Sequence, residues 1–511
     1  MTQAPAIARG VVLQVAARGV ALPLSVLTVA VATRYLGPRG YGVLTTAVVL
    51  VGLFEAFTEL GVGPVIVRRV SARGESLERL VGLSAGLSAT YAVPLALLAT
   101  GVGALLHGDR PEVVAACAVV ASGLVWRTLS SSLDPVFDVA VRYGAVATAD
   151  VLARAAGLAA AVVVAAYDAG LVAMAAAVTA PHLVRAVVVT IGAARRVRIR
   201  PRIVPRESWA LLRESLPLTV VLVVGVVYWN ADGLLLSLLS DDTQVAAYGL
   251  ALQIAFALAV VSVVFERAVL GSIAAAVHTD PARFAAGVDR AYRFLLLCAV
   301  PVAVFGALLG PRVVTLVAGE AFTTTAGPAL SVFFVAVACM FLTAVSGDVL
   351  VAAGDQRWLT AVSVANLAGN VALNLVLIPF LGAVGAGLAL VTSELVGLVL
   401  AHRRMRRRHG APAFPLGALL RLVPAVAAGL VVTWAVWALP VVVVGLAAGA
   451  AVVVAARLTG ALPRELLATL VAGLRPDRPP TSAESPAPTP APTPAPTPAP
   501  PVVSPSPEAS P

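Results

Sequence analysis

The sequence predicts an all-α integral membrane protein of about fourteen transmembrane helices. Of its 511 residues, 59% are apolar and 12% charged, with a mean hydropathy of +0.95, too little polar material to clothe a soluble globule of this size. The apolar residues gather in runs of about 20, the length that crosses the hydrocarbon of a bilayer. Most arginines fall in the short polar segments between those runs, where they set orientation.

In chain order the runs lie near 11–32, 41–63, 80–105, 113–133, 146–166 and 170–191. A second set lies near 216–239, 246–274, 291–309, 327–351, 359–379, 382–401, 416–438 and 440–459. The first follows Arg9, carries Arg18 within it and exceeds the apolar stretch of a signal peptide, so it reads as a retained helix. Arg68, Arg69, Arg73, Arg79, Arg142, the Arg195–Arg206 segment and the Arg403–Arg408 segment share one side. The other side holds little beyond Arg34, Arg39, Arg110 and Arg312. The arginine-rich side is expected to be cytoplasmic, with both termini there.

The polar stretch around 192–213 divides the first six spans from the next six. The expected organisation is an N-terminal six-helix lobe (1–191), a cytoplasmic connector (192–213) and a C-terminal six-helix lobe (214–401). A basic loop with two accessory helices (402–475) and a Pro/Ala/Thr-rich tail (476–511) follow. Tyr41-Gly42 and Tyr248-Gly249 open the second and eighth spans at matching places in the two halves. That echo points to two pseudo-symmetric lobes around a central cavity, the layout of a carrier.

The tail repeats Pro-Ala-Pro-Thr, favours polyproline II and cannot bury a core; it reads as disordered and cytoplasmic, either inert or a dock for cytoplasmic partners. A formal charge of +10 in a soluble protein suggests nucleic acid, but membrane topology accounts for these arginines and no nucleic-acid partner is expected. Cys117, Cys298 and Cys339 lie in apolar runs without metal-ligand spacing; no metal or cofactor is expected. No loop is long enough for a soluble catalytic domain, which argues against an enzyme.

Arg34 to Arg69 organises the rest. Gly37-Pro38-Arg39-Gly40 forms a corner, Tyr41-Gly42 opens the next span, and Glu55 and Glu59 sit one turn apart on its expected helix face, where an unpaired carboxylate is costly. Both are candidates for binding a coupling ion. Arg18, Arg127, Arg154, Arg267 and Arg421 lie within or at the ends of spans and need an anion, a wet cavity or a route to the interface. Asp150, four residues before Arg154, is its expected partner, and Glu266 sits beside Arg267. Arg18 has no acid in its own span and is the leading cavity candidate, with Arg127 and Arg267 behind it.

Asn230 and Asp232 stand in a field of Val and Leu. Asp232 has three readings: an ion pair with the opposite lobe, a coupling proton or cation, or a hydrogen bond between helices. Asn366, Asn370 and Asn374 recur every fourth residue as one stripe, suited to helix packing or to substrate contact. Pro379, Gly382 and Gly385 then mark a proline-stopped helix, a tight corner and a close helix approach.

The wording R-Y-L-G-P-R-G-Y-G at Arg34–Gly42 with its E-L-G-V-G end, Asp232 followed by V-A-A-Y, A-A-G-D-Q-R at 352–357, and N-V-A-L-N-L-V-L-I-P-F-L-G-A-V-G-A at 370–386 occur in order along most of the chain. They resemble the polysaccharide flippase family of the multidrug/oligosaccharidyl-lipid/polysaccharide exporter superfamily. The resemblance implies a non-enzymatic carrier of lipid-linked oligosaccharide, embedded among membrane lipids of a bacterial plasma membrane and working by alternating access. A peptidoglycan lipid-precursor flippase, a drug or cation exporter of the same superfamily, a membrane polymerase or glycosyltransferase, and a scaffold acting through the tail are the competing readings.

Overall fold

The computed structural model describes residues 4–140, 143–259 and 273–460, and these contain helices and turns without a β-strand. Arg142, Arg267 and the 476–511 tail therefore lie outside the described residues. The first half comprises α1 (Ala4–Gly52), α2 (Ala56–Glu59), α3 (Val62–Arg73), α4 (Leu77–Leu106), α5 (Pro111–Ser131), α6 (Pro135–Val139), α7 (Tyr143–Ala166) and α8 (Gly170–Ala194). The second comprises α9 (Pro205–Leu239), α10 (Asp242–Phe256), α11 (Pro281–Ala318), α12 (Thr323–Ala352) and α13 (Gln356–His409), with α14 (Leu416–Ala435) and α15 (Val441–Leu458) after it.

Eleven helices among the described residues are long and apolar enough to cross a membrane, against the fourteen expected. Two of the eleven, α1 and α13, are each a pair of helices meeting at one glycine, Gly37 (φ 66°) and Gly382 (φ 54°). Only a residue without a Cβ adopts that backbone cheaply, so the corners expected from Gly37-Pro38 and from Pro379–Gly382 are real, but each is a single-residue break. The expected span near 246–274 begins as α10 and runs into residues outside the description.

The expected helix at 41–63 needs correction. It ends at Gly52, turns, makes one turn of α2, and passes through left-handed Leu60 and Gly61 before α3 begins. Glu55 and Glu59 are thus on an interrupted segment instead of one continuous helix face. Non-helical backbone in hydrocarbon needs partners from the protein. It has them: Tyr91 and Ser131 hydroxyls donate to the Thr58 carbonyl at 3.2 and 2.8 Å, and Thr219 donates to the Leu60 carbonyl at 2.7 Å.

α1, α4, α5, α7 and α8 pack on one another, and α10, α11, α12 and α13 form a second group, with α14 and α15 against α11. α9 joins both. Its start is held to the first group by Arg68 and Arg69 on Glu214 and by Arg79 on Glu207; its end is held to the second by Tyr228 on Glu394 and by Asn374 on Asp232. The ties also orient the ends. Tyr228 lies eleven residues before the end of α9 and Glu394 twelve beyond the Gly382 break, so both arginine segments, 195–206 and 403–408, sit at one end of the bundle.

At the far end the groups are bridged. Arg34 donates to the carbonyls of Leu316 and Val317, Arg110 meets both carboxylate oxygens of Asp242 at 2.6 and 2.7 Å, and His107 Nε2 lies 3.3 Å from the Ser237 carbonyl. Gly42 packs directly on the backbone of Asp242: a Cβ there would lie 2.0 Å from its carbonyl oxygen.

At the arginine end, Arg404 donates twice to Asp355 at 2.9 and 3.0 Å, and His409 Nε2 lies 2.8 Å from the same carboxylate. These bonds hold the Asp355 carboxyl well below its usual range. A depressed acid stabilises the fold above the ordinary carboxylate pKa of about 4, and that contribution fades as pH falls further. Asp355→Asn should lower the melting temperature of the detergent-solubilised protein at pH 7, and the gap to the unaltered chain should narrow below about pH 4, read by intrinsic fluorescence.

Candidate functional site

A cavity of about 260 Å³ lies between the two helix groups, lined by α1, α7 and α8 on one side and α9 and α10 on the other. Its polar wall comprises Ser25, Thr28, Thr45, Arg154, Asn230 and Gln253, and Tyr41 and Tyr248 face it. Ser25, Arg154 and Gln253 each lie about twelve residues from the far end of their helices, which at about 1.5 Å per residue places them near mid-membrane.

The cavity arginine is Arg154. Its Nη1 donates to Ser25 Oγ at 2.5 Å, and its expected partner Asp150 is taken by Arg185 at 3.0 Å instead. Spacing on one helix suggested the Arg154–Asp150 pair; a guanidinium reaching from α8 won the carboxylate. Arg185 also meets Asp134 at 3.1 Å and Ser130 at 3.0 Å, tying α7, α8 and the α5–α6 break together. Nothing but its place as a lone arginine in an apolar run marks Arg185 in the sequence.

Arg18 is exposed, seven residues before Ser25, so it lies on the same helix face two turns nearer the arginine end and outside the cavity lining. Arg127 faces both Glu55 and Glu59, at 3.5 and 3.8 Å, so the interrupted segment carries its own counter-charge. The Arg127 Nε atom is buried with no partner among the described residues. Arg267 lies outside the described residues. Asn230 lines the cavity and donates to the Val226 carbonyl at 2.9 Å.

The asparagine stripe is brought into one network in the second group. Asn366 donates to the Ser393 carbonyl at 3.1 Å, Asn370 to Ser393 Oγ at 3.2 Å, and Asn374 to Asp232 at 2.7 Å and Asn370 Oδ1 at 3.0 Å. Asp232 is 5% exposed, has no basic partner in any hydrogen bond or ion pair described, and is bonded between helices. Asn374 Oδ1 is buried without a partner. One turn deeper, Tyr228 donates to buried Glu394 at 3.0 Å. Glu394 was missed, although a single acid in the run Val391–Leu398 is the same signal that drew attention to Asp232.

No group of three or more His, Cys, Asp or Glu side chains able to hold a metal occurs among the described residues.

The family model described as "Polysaccharide biosynthesis protein" matches residues 31–326. The chain belongs to that family. No curated protein sequence matches it. Among solved structures it is similar to "Lipid II flippase MurJ, inward closed conformation" at a TM-score of 0.73 and 12% identity, over 89% of this chain and 100% of that one. It is also similar to an inward-facing multidrug resistance MATE family transporter of the MOP superfamily at 0.65 and 15%, over 76% and 95%. A MOP superfamily transporter from Pyrococcus furiosus gives 0.51 and 13%, over 78% and 96%. The family member therefore has the MOP fold, a multi-pass membrane bundle, and the expected fold class stands.

Arg185 holds two carboxylates that repel each other without it. Arg185→Ala should destabilise the protein by about 1 to 2 kcal/mol, below the penalty for a fully buried pair because Asp134 and Asp150 are only partly covered. Adding Asp134→Asn and Asp150→Asn should recover much of that loss, measured as melting temperature in detergent.

Proposed function

We propose that this polysaccharide biosynthesis family member flips a polyprenyl-phosphate- or diphosphate-linked oligosaccharide from the cytoplasmic to the outer leaflet. The observation that carries the reading is the polar cavity between the helix groups, with Arg154 on its wall near mid-membrane. A sugar head and its phosphates lose their water partners in hydrocarbon, and a wet, cationic gap replaces them. Thr28, Thr45, Asn230 and Gln253 supply donors and acceptors for hydroxyls, while Tyr41 and Tyr248, packed on Phe322 and Phe333, form the rigid floor beneath them.

In this reading 1–191 and 214–401 act as lobes joined by the 192–213 connector, with 402–475 as an accessory. The arginine-rich end faces the cytoplasm in a bacterial plasma membrane. The bridges of Arg34, Arg110 and His107 close the far end, so the cavity loads from the arginine end. Arg18, on the Ser25 face, receives the phosphate and passes it two turns up to Arg154. Releasing Arg110 from Asp242 opens the outer side.

In proteoliposomes carrying a labelled polyprenyl-diphosphate oligosaccharide, Arg154→Gln and Arg18→Ala should each lower the flipping rate at least tenfold with insertion unchanged. Undiminished transport in both variants rejects the phosphate relay. The same vesicles loaded with lipid II, or with a cationic drug, separate the peptidoglycan-precursor and drug-export readings, since the preferred cargo is the one whose rate responds to Arg154.

Asp232, buried beside the partnerless Asn374 oxygen, is proposed as the coupling site for a proton or monovalent cation. Asp232→Asn preserves the contact with Asn374 in shape and removes the charge. Transport by that variant should no longer respond to an imposed sodium or proton gradient; a response equal to that of the unaltered protein argues against coupling there.

A further inference from the structure

Away from the central cavity, on the flank of α7 and α8 at the arginine end, a second cavity of about 640 Å³ is lined by Phe137, Thr148, Val188, Ile191, Arg195 and Arg196 among others. Arg196 lies over the Phe137 ring at 5.1 Å, and its Nη1 donates to the Gly192 carbonyl at 2.6 Å. Stacking and one hydrogen bond fix the guanidinium plane and leave its other N–H groups for a ligand. No ion pair to Arg195 or Arg196 occurs among the described residues, and both side chains are exposed.

The chain that continues from this cavity has matching character. Residues 195–206 hold six arginines and no acid. Val197 and Ile199 turn inward against the apolar cluster that includes Val81 and Phe137, while Arg198, Arg200 and Arg202 stay exposed, and the backbone is held by a bond from Arg202 N to the Gly82 carbonyl at 2.8 Å. Ile203 and Trp209 are each 68% exposed. Exposed apolar side chains among unpaired arginines at a helix end are the pattern of a membrane interface that attracts anionic lipid.

We propose that this cavity binds the headgroup of an anionic phospholipid, with its phosphate on Arg195 and Arg196 and the beginning of its acyl chains along Val188 and Ile191. The apolar wall commits the site to a lipid over a free phosphate, and the anionic charge distinguishes it from the bulk zwitterionic annulus. Phe137 belongs to α6, directly after the α5–α6 break whose Asp134 is held by Arg185, so the lipid would brace the short helix that ends that break. The site is separate from the cargo cavity and does not depend on the flipping reading.

The test uses the full chain in detergent with phosphatidylglycerol or phosphatidylcholine and counts retained lipid by native mass spectrometry. The unaltered protein should retain phosphatidylglycerol at least fivefold over phosphatidylcholine. Arg195→Gln with Arg196→Gln should abolish the preference, whereas Arg403→Gln with Arg407→Gln, which removes equal charge at the same end, should keep it. Equal loss in both double variants, no loss in the first, or displacement of the lipid by millimolar glycerol 3-phosphate overturns the proposal. Should the first double variant fail to fold, hydrogen exchange of the unaltered protein decides. Phosphatidylglycerol should slow exchange across residues 188–196 and leave 403–409 unchanged, and any other pattern counts against the site.

Discussion

A polar group inside hydrocarbon has no water to turn to, and that constraint shapes this protein more than any other. At two places where the backbone leaves its helix, a side chain from a neighbour completes it: Tyr91, Ser131 and Thr219 at the Thr58–Leu60 interruption, and Gln244 on the Ala383 amide after Gly382. Charges obey the same rule. Arg127 faces Glu55 and Glu59, and Arg185 gathers Asp134, Asp150 and Ser130. The helices of the first group are therefore held by polar cross-links as well as by packing, and the gap beside α9 and α10 is left as the place where polar atoms face space.

The two groups differ in kind. The first carries paired arginines and carboxylates around broken helices. The second holds the larger part of an apolar core that runs on into the first, with Tyr248, Tyr292, Phe284 and Phe333 in its share, and is threaded by the amide and carboxylate network of Asp232, Asn370, Asn374 and Ser393. Arg154 faces the cavity from the first group and Asn230 and Gln253 from α9 and α10. Charge recognition thus belongs to one side of the gap, and neutral hydrogen bonding to the other.

Much of this was legible in the sequence. Apolar run length and arginine placement gave the bundle and its two ends, because both follow from bilayer thickness and from the cost of moving charge across it. Gly37 and Gly382 were readable as corners because Pro38 directly follows the first and Pro379 stops the helix three residues before the second. The interruption at Gly52–Val62 was hidden, since Leu53, Phe54, Phe57 and Leu60 continue the apolar pattern and the side chains that satisfy the broken backbone come from distant helices. Partner choice was equally hidden. Asp150 sits at helical spacing from Arg154, yet Arg185 approaches from α8, and only tertiary packing decides which guanidinium arrives. Glu394 and Arg185 carry the same sequence signal as Asp232 and Arg18, a single charge in a greasy run, and their partners come from other helices.

The close seam between the second arm of α1 and α10 has a mechanical meaning. At Gly42 the arm lies directly on the Asp242 backbone, and further along the small Thr45 side chain seats against Gly249. A small knob in a shallow hole is lifted out with less loss of contact than a long side chain. Much of the resistance to parting here therefore falls to the electrostatic clasps beside the seam, and the bundle behaves there as a latch set on a bearing.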